Sequence, residues 1–363
     1  MSLFSVSRAF FAQSQAHKSE FRVLVGNSQG SEEGWSRIVG EKELLTIRRG
    51  GSTCPPSVED EARTLWRECG ALMQEMTRGV EKSLGMHAAA LDGVVSAECV
   101  MPEGGSDRLE TLLRMFRYER RSERADPDPA APADSGKGRL VAEPHLDLGL
   151  LSLVIGASPG LEVWHPMERA WIPIEEPPHA GPGLTATLLV GETLTRLTNA
   201  RYVPGRHRVF VPSAPIGDDS EDDSQFRYSL VFALRPHISA IISTSTLTTP
   251  LTGAFAYPIE GVRARDLFAA IAGSHWNVNT GHKMREAQRM QMRGSATTKA
   301  STGNERREAD SGQEMVGGVE CRGGKDKRKR WSLPIFRSSH PPTDIEPRVR
   351  RSRWSVFQRI SGS

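Results

Sequence analysis

The sequence predicts a mainly β fold with flanking helices, a jelly roll of the double-stranded β-helix kind, and three observations predict it. From His145 onward the runs LGLLSLVIG, GLEVW, AWIPI, LTATLLVG, RHRVFVP and RYSLVFAL follow one another between Gly, Pro and Asn signals, the pattern of an all-β sandwich. No amphipathic segment of helix length separates these runs, which argues against a parallel α/β sheet. Helical periodicity is confined to the N-terminal third and to residues 262–272, so helices belong around the sheets rather than between their strands.

Taken in order, SRAFFAQSQAHKSEFR reads as an amphipathic helix with Phe10 and Phe11 on its apolar side. GWSRIVGEKELLTIRRG is rich in glycine and reads as irregular. The clearest helix covers residues 56–84. Pro56 and Ser57 suit its entrance, and Gly85 its stop. Between them Ala62, Leu65, Trp66, Cys69, Leu72, Met73, Met76, Val80 and Leu84 recur every three or four positions. Such a stripe is a core face rather than a cofactor box, and Cys69 on it is a small buried hydrophobe. TLLRMFRYER has a strand pattern, and residues 121–139, full of Pro, Asp, Ala and Gly, read as a disordered surface loop. The domain plan is therefore an N-terminal helical and mixed region to residue 120, a β core over 140–290 and a basic, disordered tail over 291–363.

Composition bounds the function. In 363 residues, 37% hydrophobic and 25% charged content is ordinary for a soluble globular protein. The four cysteines, Cys54, Cys69, Cys99 and Cys321, show no CxxC or paired spacing, which argues against a disulfide framework or a zinc ribbon and for a reducing, cytoplasmic setting. No apolar run approaches a membrane span, and MSLFSVSRAFFAQSQ is a poor secretory signal, so no membrane partner is expected. Residues 283–363 hold 19 Lys and Arg against 9 Asp and Glu, a net +10 within a chain total of +3, which leaves −7 on the rest. Nucleic acid is therefore an unlikely partner for the body. The run KDKRKRW at 325–331 has the form of a nuclear import signal or nucleic-acid patch, although a solvated tail is the plainer reading.

The candidate chemistry sits in EPHLDLGLLSLV. His145 and Asp147 are two positions apart, and on extended backbone they point to one side. A second histidine, His207 in GRHRVFVP, completes two imidazoles and a carboxylate, the facial set that leaves half of an octahedral iron open. Arg227 and Ser229 in RYSLVFAL alternate on a strand and suit a carboxylate, which they would hold by a charge-assisted pair and a hydroxyl hydrogen bond. His165, His179, His237 and His275 have no such context and read as structural or exposed. The acidic group Asp218, Asp219, Glu221, Asp222 and Asp223 lacks EF-hand spacing and reads as a solvated loop rather than a calcium site.

His145-Leu146-Asp147, the distal His207 and Arg227-Tyr228-Ser229, in this order on β-rich runs, resemble the iron(II)- and 2-oxoglutarate-dependent oxygenases of the isopenicillin N synthase-like group, over about residues 1–290. The resemblance implies Fe(2+) on His145, Asp147 and His207, with 2-oxoglutarate and O2 on its open positions. It also implies that Arg227 and Ser229 hold the far carboxylate of 2-oxoglutarate and that Tyr118 stands beside it. Phe116 occupies the place of the family's partner asparagine. The implied reaction hydroxylates, desaturates or cyclises a small organic metabolite and releases succinate and CO2. Two alternatives stay open: an oxidase in which the same Arg and Ser hold a carboxylate of the substrate, without 2-oxoglutarate, and a noncatalytic scaffold that keeps the fold. The strand and helix that open the family's domain are not recognised here, so the N-terminal region reads as truncated at its start. His207 and Arg227 are also farther apart than is usual in the family, a gap that a surface loop absorbs at small entropic cost.

Overall fold

A computed structural model describes residues 2–23, 32–104, 109–120, 138–176, 186–212 and 225–292. Its N-terminal helix is displaced from the expectation. Helix α1 (Leu3–Ala12) is capped by the Ser2 hydroxyl and ends at Gln13, and a short α2 (Gln15–Ser19) follows, capped by Ser14. Serine at an N-cap satisfies a helix-end N–H, which explains why both breaks fall at serines.

Residues 34–50, expected to be irregular, form a β-hairpin instead. Strands β1 (Gly34–Ile38) and β2 (Lys42–Ile47) pair antiparallel, with Ile38 opposite Lys42. Gly40 between them adopts φ +72°, a left-handed turn conformation that side chains disfavour. The glycines mark a strand start and a turn, not a lack of structure.

Helix α3 (Pro56–Ser83) matches the expected scaffold helix. The amide of Gly85 donates to Lys82 O and that of Met86 to Glu81 O, the paired bonds of a Schellman stop, with Gly85 at φ +64°. A one-turn α4 (Asp92–Val95) leads toward β3 (Leu112–Glu119). The rest is β4 (Gly138–His145), β5 (Leu151–Gly156), β6 (Leu161–His165), β7 (Ala170–Pro173), β8 (Ala186–Val190), α5 (Glu192–Leu197), β9 (His207–Pro212), β10 (Phe226–Leu234), β11 (Ile241–Ile242), β12 (Val262–Arg263) and α6 (Ala264–Ala272). A last helix, α7, covers 282–292.

Two antiparallel sheets carry the fold: a six-stranded one in the order β1-β2-β3-β10-β5-β8 and a four-stranded one in the order β4-β9-β6-β7. Strand alternation sorts the residues of the larger sheet between two cores. On β10, Tyr228, Leu230, Phe232 and Leu234 join α1 and α3 in one hydrophobic cluster, where the Trp66 ring meets Phe232 edge-on at 5.2 Å. Arg227, Ser229, Val231 and Ala233 face the other way, onto a cavity. On β3, Leu113 and Met115 belong to the helix side. Phe116 and Tyr118 join Val154, Leu161 and Val209 in a second cluster. The polar face of β10 is thus turned inward, between the sheets.

No helix among the described residues is long and apolar enough to cross a membrane. His179, the acidic group at 218–223, Cys321 and the basic run at 325–331 lie outside the described residues, as do most of the loop and tail expected at 121–139 and 291–363.

Candidate metal centre

His145 closes β4 and His207 opens β9, directly opposite one another in the strand register, with ring centroids 4.2 Å apart. Register shifts on β4 between Leu140 and Ala142, and again before His145, are bulges of the kind that re-aim a side chain at a sheet rim. Asp147 follows two residues later, in the turn into β5. Its Oδ1 lies 3.9 Å from His145 Nε2 and its Oδ2 3.9 Å from His207 Nε2. The three residues can each offer one ligand atom, all within 4.8 Å of one another.

The backbone sets which nitrogen each imidazole offers. His145 Nδ1 lies 2.7 Å from Glu143 O, and His207 Nδ1 lies 2.9 Å from Gly205 O. A carbonyl only accepts, so each Nδ1 donates its N–H and Nε2 is the nitrogen each ring turns toward Asp147. Burial, with His207 alongside, holds the His145 pKa well below the usual imidazole value. Burial by itself would raise the Asp147 carboxyl, but His207, His145 and Arg235 outweigh it and hold that group below the ordinary carboxylate range. A neutral imidazole and an ionised carboxylate are the protonation states that ligate a divalent cation.

Arg227 projects from the neighbouring strand with its side chain fully buried. Its Nε donates to Ser158 O at 3.0 Å, and its Nη2 donates to both oxygens of Glu175, at 2.9 and 3.2 Å. Its Nη1 is buried and has no hydrogen-bond partner among the described residues. A buried, unpaired guanidinium N–H is costly, and it fits a carboxylate that would arrive from the cavity. Close approach here depends on glycine: a Cβ on Gly160 would lie 2.6 Å from Arg227 Nε, and one on Gly156 2.8 Å from Nη2. Tyr118 is the cross-strand partner of Arg227, with the guanidinium 5.6 Å from its ring centre. Burial pushes the Tyr118 phenol up to about 12, so the hydroxyl keeps its proton. Phe116 stacks on Tyr118 at 5.0 Å and brings no polar contact.

One cavity of about 310 Å3 is lined by all six expected site residues, His145, Asp147, His207, Tyr118, Arg227 and Ser229. It is also lined by Glu32, Arg114, Arg235, Phe268, His275 and Trp276, none of which the sequence singled out for the site. His275, expected to be structural or exposed, stands on the wall and bonds Ile271 O through Nδ1 at 2.9 Å. His237 is structural as expected, with Nδ1 3.1 Å from Glu98 Oε1. Glu175 carries no signal of its own, because a glutamate following an apolar run ordinarily marks the return to solvent.

Two facing antiparallel sheets, flanking helices and a His-Asp-His set at the sheet rim define a class of architecture, a jelly roll with a candidate metal centre at its rim. The chain resembles the crystal structure of a full-length Neurospora crassa protein in complex with α-ketoglutarate and 5-formyluracil, with a TM-score of 0.54 and 20% identity over 74% of this chain and 80% of that one. It also resembles a 2OG-Fe(II) oxygenase family protein from Caulobacter crescentus (TM-score 0.52, 19% identity, 74% of this chain and 82% of that one). JOX2 in complex with 2OG, Fe and JA gives a TM-score of 0.51 at 18% identity, over 79% of this chain and 78% of that one. In sequence, the chain is 29% identical over 97 residues to the 2-oxoglutarate-dependent dioxygenase tropC of Talaromyces stipitatus. That match spans 26% of this chain and 25% of the relative. No family model matches the chain.

Proposed function

We propose that the protein is an Fe(II)- and 2-oxoglutarate-dependent dioxygenase that oxidises a small organic molecule by hydroxylation, desaturation or ring closure. The observation that carries the reading is the shared cavity. On one side of it two imidazole Nε2 atoms and a carboxylate converge, and on the other a buried arginine keeps one nitrogen unpaired among the described residues. His145, Asp147 and His207 would hold the iron. When bound, iron and 2-oxoglutarate supply oxidation by O2, with the keto acid released as succinate and CO2.

The chain's own residues do the positioning. Arg227 Nη1, with the Ser229 and Tyr118 hydroxyls, would receive the far carboxylate of 2-oxoglutarate. Ser158 O and Glu175 fix the opposite edge of the guanidinium, so the fork is oriented before the ligand enters. Val154, Leu161 and Val209 line the cavity and exclude water from the reacting centre. Ligands named with the solved relatives, thymine among them, favour a small-molecule substrate for this chain as well.

The test is an anaerobic Fe(II) titration followed by 2-oxoglutarate, read as the weak visible charge-transfer band of a keto acid chelated to iron. The band should form with the parent protein and be lost in His207→Ala. Iron binding without the band would favour the oxidase that uses no 2-oxoglutarate, and failure to bind iron would favour the scaffold.

A further inference from the structure

The cavity has a second charged end, which acts on the metal-ligand candidates only through the charge of Arg235 on Asp147. Along β10, Arg227, Ser229, Val231 and Ala233 alternate onto the cavity, and Arg235, one residue past the strand's end, continues the series, with its backbone about 26 Å from that of Arg227 if the extended rise is kept. Arg114 reaches the same cavity from β3, where it is the cross-strand partner of Val231. Both arginines are buried, at 7% and 8% exposure.

Among the described residues, one carboxylate meets this pair. Glu32 accepts from Arg235 Nη1 at 2.6 Å and Nη2 at 3.0 Å, the two-pronged geometry of a bound carboxylate. From Arg114 Nη2, Glu32 Oε1 is 3.9 Å away, beyond hydrogen bonding. The nearby Arg48 is matched by its own partner, Glu110, at 2.8 Å. The wall around the pair is aromatic. Phe268 lies with its ring centre 5.0 Å from the Arg235 guanidinium, and the buried indole N–H of Trp276, on the same cavity, has no partner among the described residues. Arg114 Nε donates to Thr46 Oγ1 at 2.8 Å, so two buried guanidinium cations share the single Glu32 carboxylate at this end.

We propose that Arg235 and Arg114 bind the carboxylate of the substrate, a small apolar or aromatic acid, in the position that the Glu32 carboxylate fills in its absence. This rests on the dioxygenase reading above and names its substrate class. The Glu32 oxygens stand in for those of the substrate, so Glu32 competes with it and also keeps the two cations compensated while the cavity waits.

The experiment is isothermal titration calorimetry on anaerobic protein saturated with Fe(II) and 2-oxoglutarate. Phenylacetate, 3-phenylpropanoate and octanoate are the probes, each compared with its methyl ester. At least one acid should bind, its ester at least tenfold more weakly. Arg235→Gln should weaken that acid tenfold or more in protein that still forms the charge-transfer band of the bound keto acid. Glu32→Gln should bind the acid more tightly and melt at lower temperature without it, and the acid should restore the melting temperature. Esters binding as well as acids, no acid binding at all, or acid affinity indifferent to Arg235 and Glu32 would overturn the proposal. Should the parent form no charge-transfer band, the dioxygenase reading fails separately. The titration repeated without metal or keto acid then decides between Arg235 and Arg227 as the acid's partner, and dependence on Arg227 alone would overturn the proposal.

Discussion

At the scale of single residues, the centre depends on which atoms are already committed. Both histidines spend Nδ1 on a backbone carbonyl and so have only Nε2 to offer. Asp147→Ala should therefore abolish iron binding and turnover while the circular dichroism spectrum stays native; retained iron at parental affinity would refute the assignment. Arg227→Lys replaces a fork by a point charge, and the 2-oxoglutarate KM should rise by about 10-fold to 100-fold, the worth of a charged hydrogen bond. Arg227→Ala does more, because it strands Glu175, whose side chain is 6% exposed. Breaking a buried pair from one side costs about 3–5 kcal/mol, whereas replacing both partners with apolar residues costs far less. Urea denaturation should thus find Arg227→Leu/Glu175→Leu more stable than Arg227→Ala, and the reverse order would deny the pair its structural weight. Period-two spacing on β runs paired His145 with Asp147 and Arg227 with Ser229, while His207 entered only as the third member of the ordered set; the five line one cavity. Glu175, Arg235 and Trp276 were not legible, since each owes its place to a segment distant in sequence.

At the scale of elements, the helices were the easier part and the glycine-rich hairpin the harder. α3 declares itself by its apolar period and by its Pro and Gly ends. Its Trp66 is fully buried and donates Nε1 to Glu98 O at 3.3 Å. Trp66→Ala should cost about 3–5 kcal/mol, seen as a lower urea midpoint with little change in slope. β1 and β2 hide because β2 is buried along its whole length and does not alternate. One residue of β2 gives that strand a pH signature. Lys42 is buried, with Nζ donating to Val141 O at 3.3 Å and Val278 O at 3.1 Å. Burial lowers its pKa from 10.5 to about 7, with Glu41 opposing and Arg285 adding to the shift. Between those values the unfolded chain binds more protons than the folded one, so this residue makes stability rise with pH from about 7 to about 10.5. Lys42→Met should flatten the difference in urea midpoint between pH 7 and pH 9.5; an unaltered difference would assign it to other groups.

At the scale of the whole molecule, one core lies between the helices and the large sheet, and the other lies between the sheets beside the cavity. Cys54, Cys69 and Cys99 are buried, and burial pushes their thiols up to about 12, 12 and 11. At pH 8 a thiol reagent should modify these three only after denaturant is added, and their rapid reaction in the native protein would contradict the packing. The jelly roll was readable from strand spacing, but how its closing wall is fastened was not. Arg285 on α7 bonds Glu41 at 2.8 and 3.1 Å and Glu143 at 3.1 Å, while Val278 O receives Lys42. These ties join residues 142, 236 and 244 positions apart in the chain. During synthesis His145, Asp147 and His207 leave the ribosome well before Val278 and Arg285 do, so an iron captured there early would sit in an unwalled, water-filled groove. The order of translation makes the sealing of the cavity the last step of folding, and full protection of a bound metal from solvent should begin only once residue 285 has emerged.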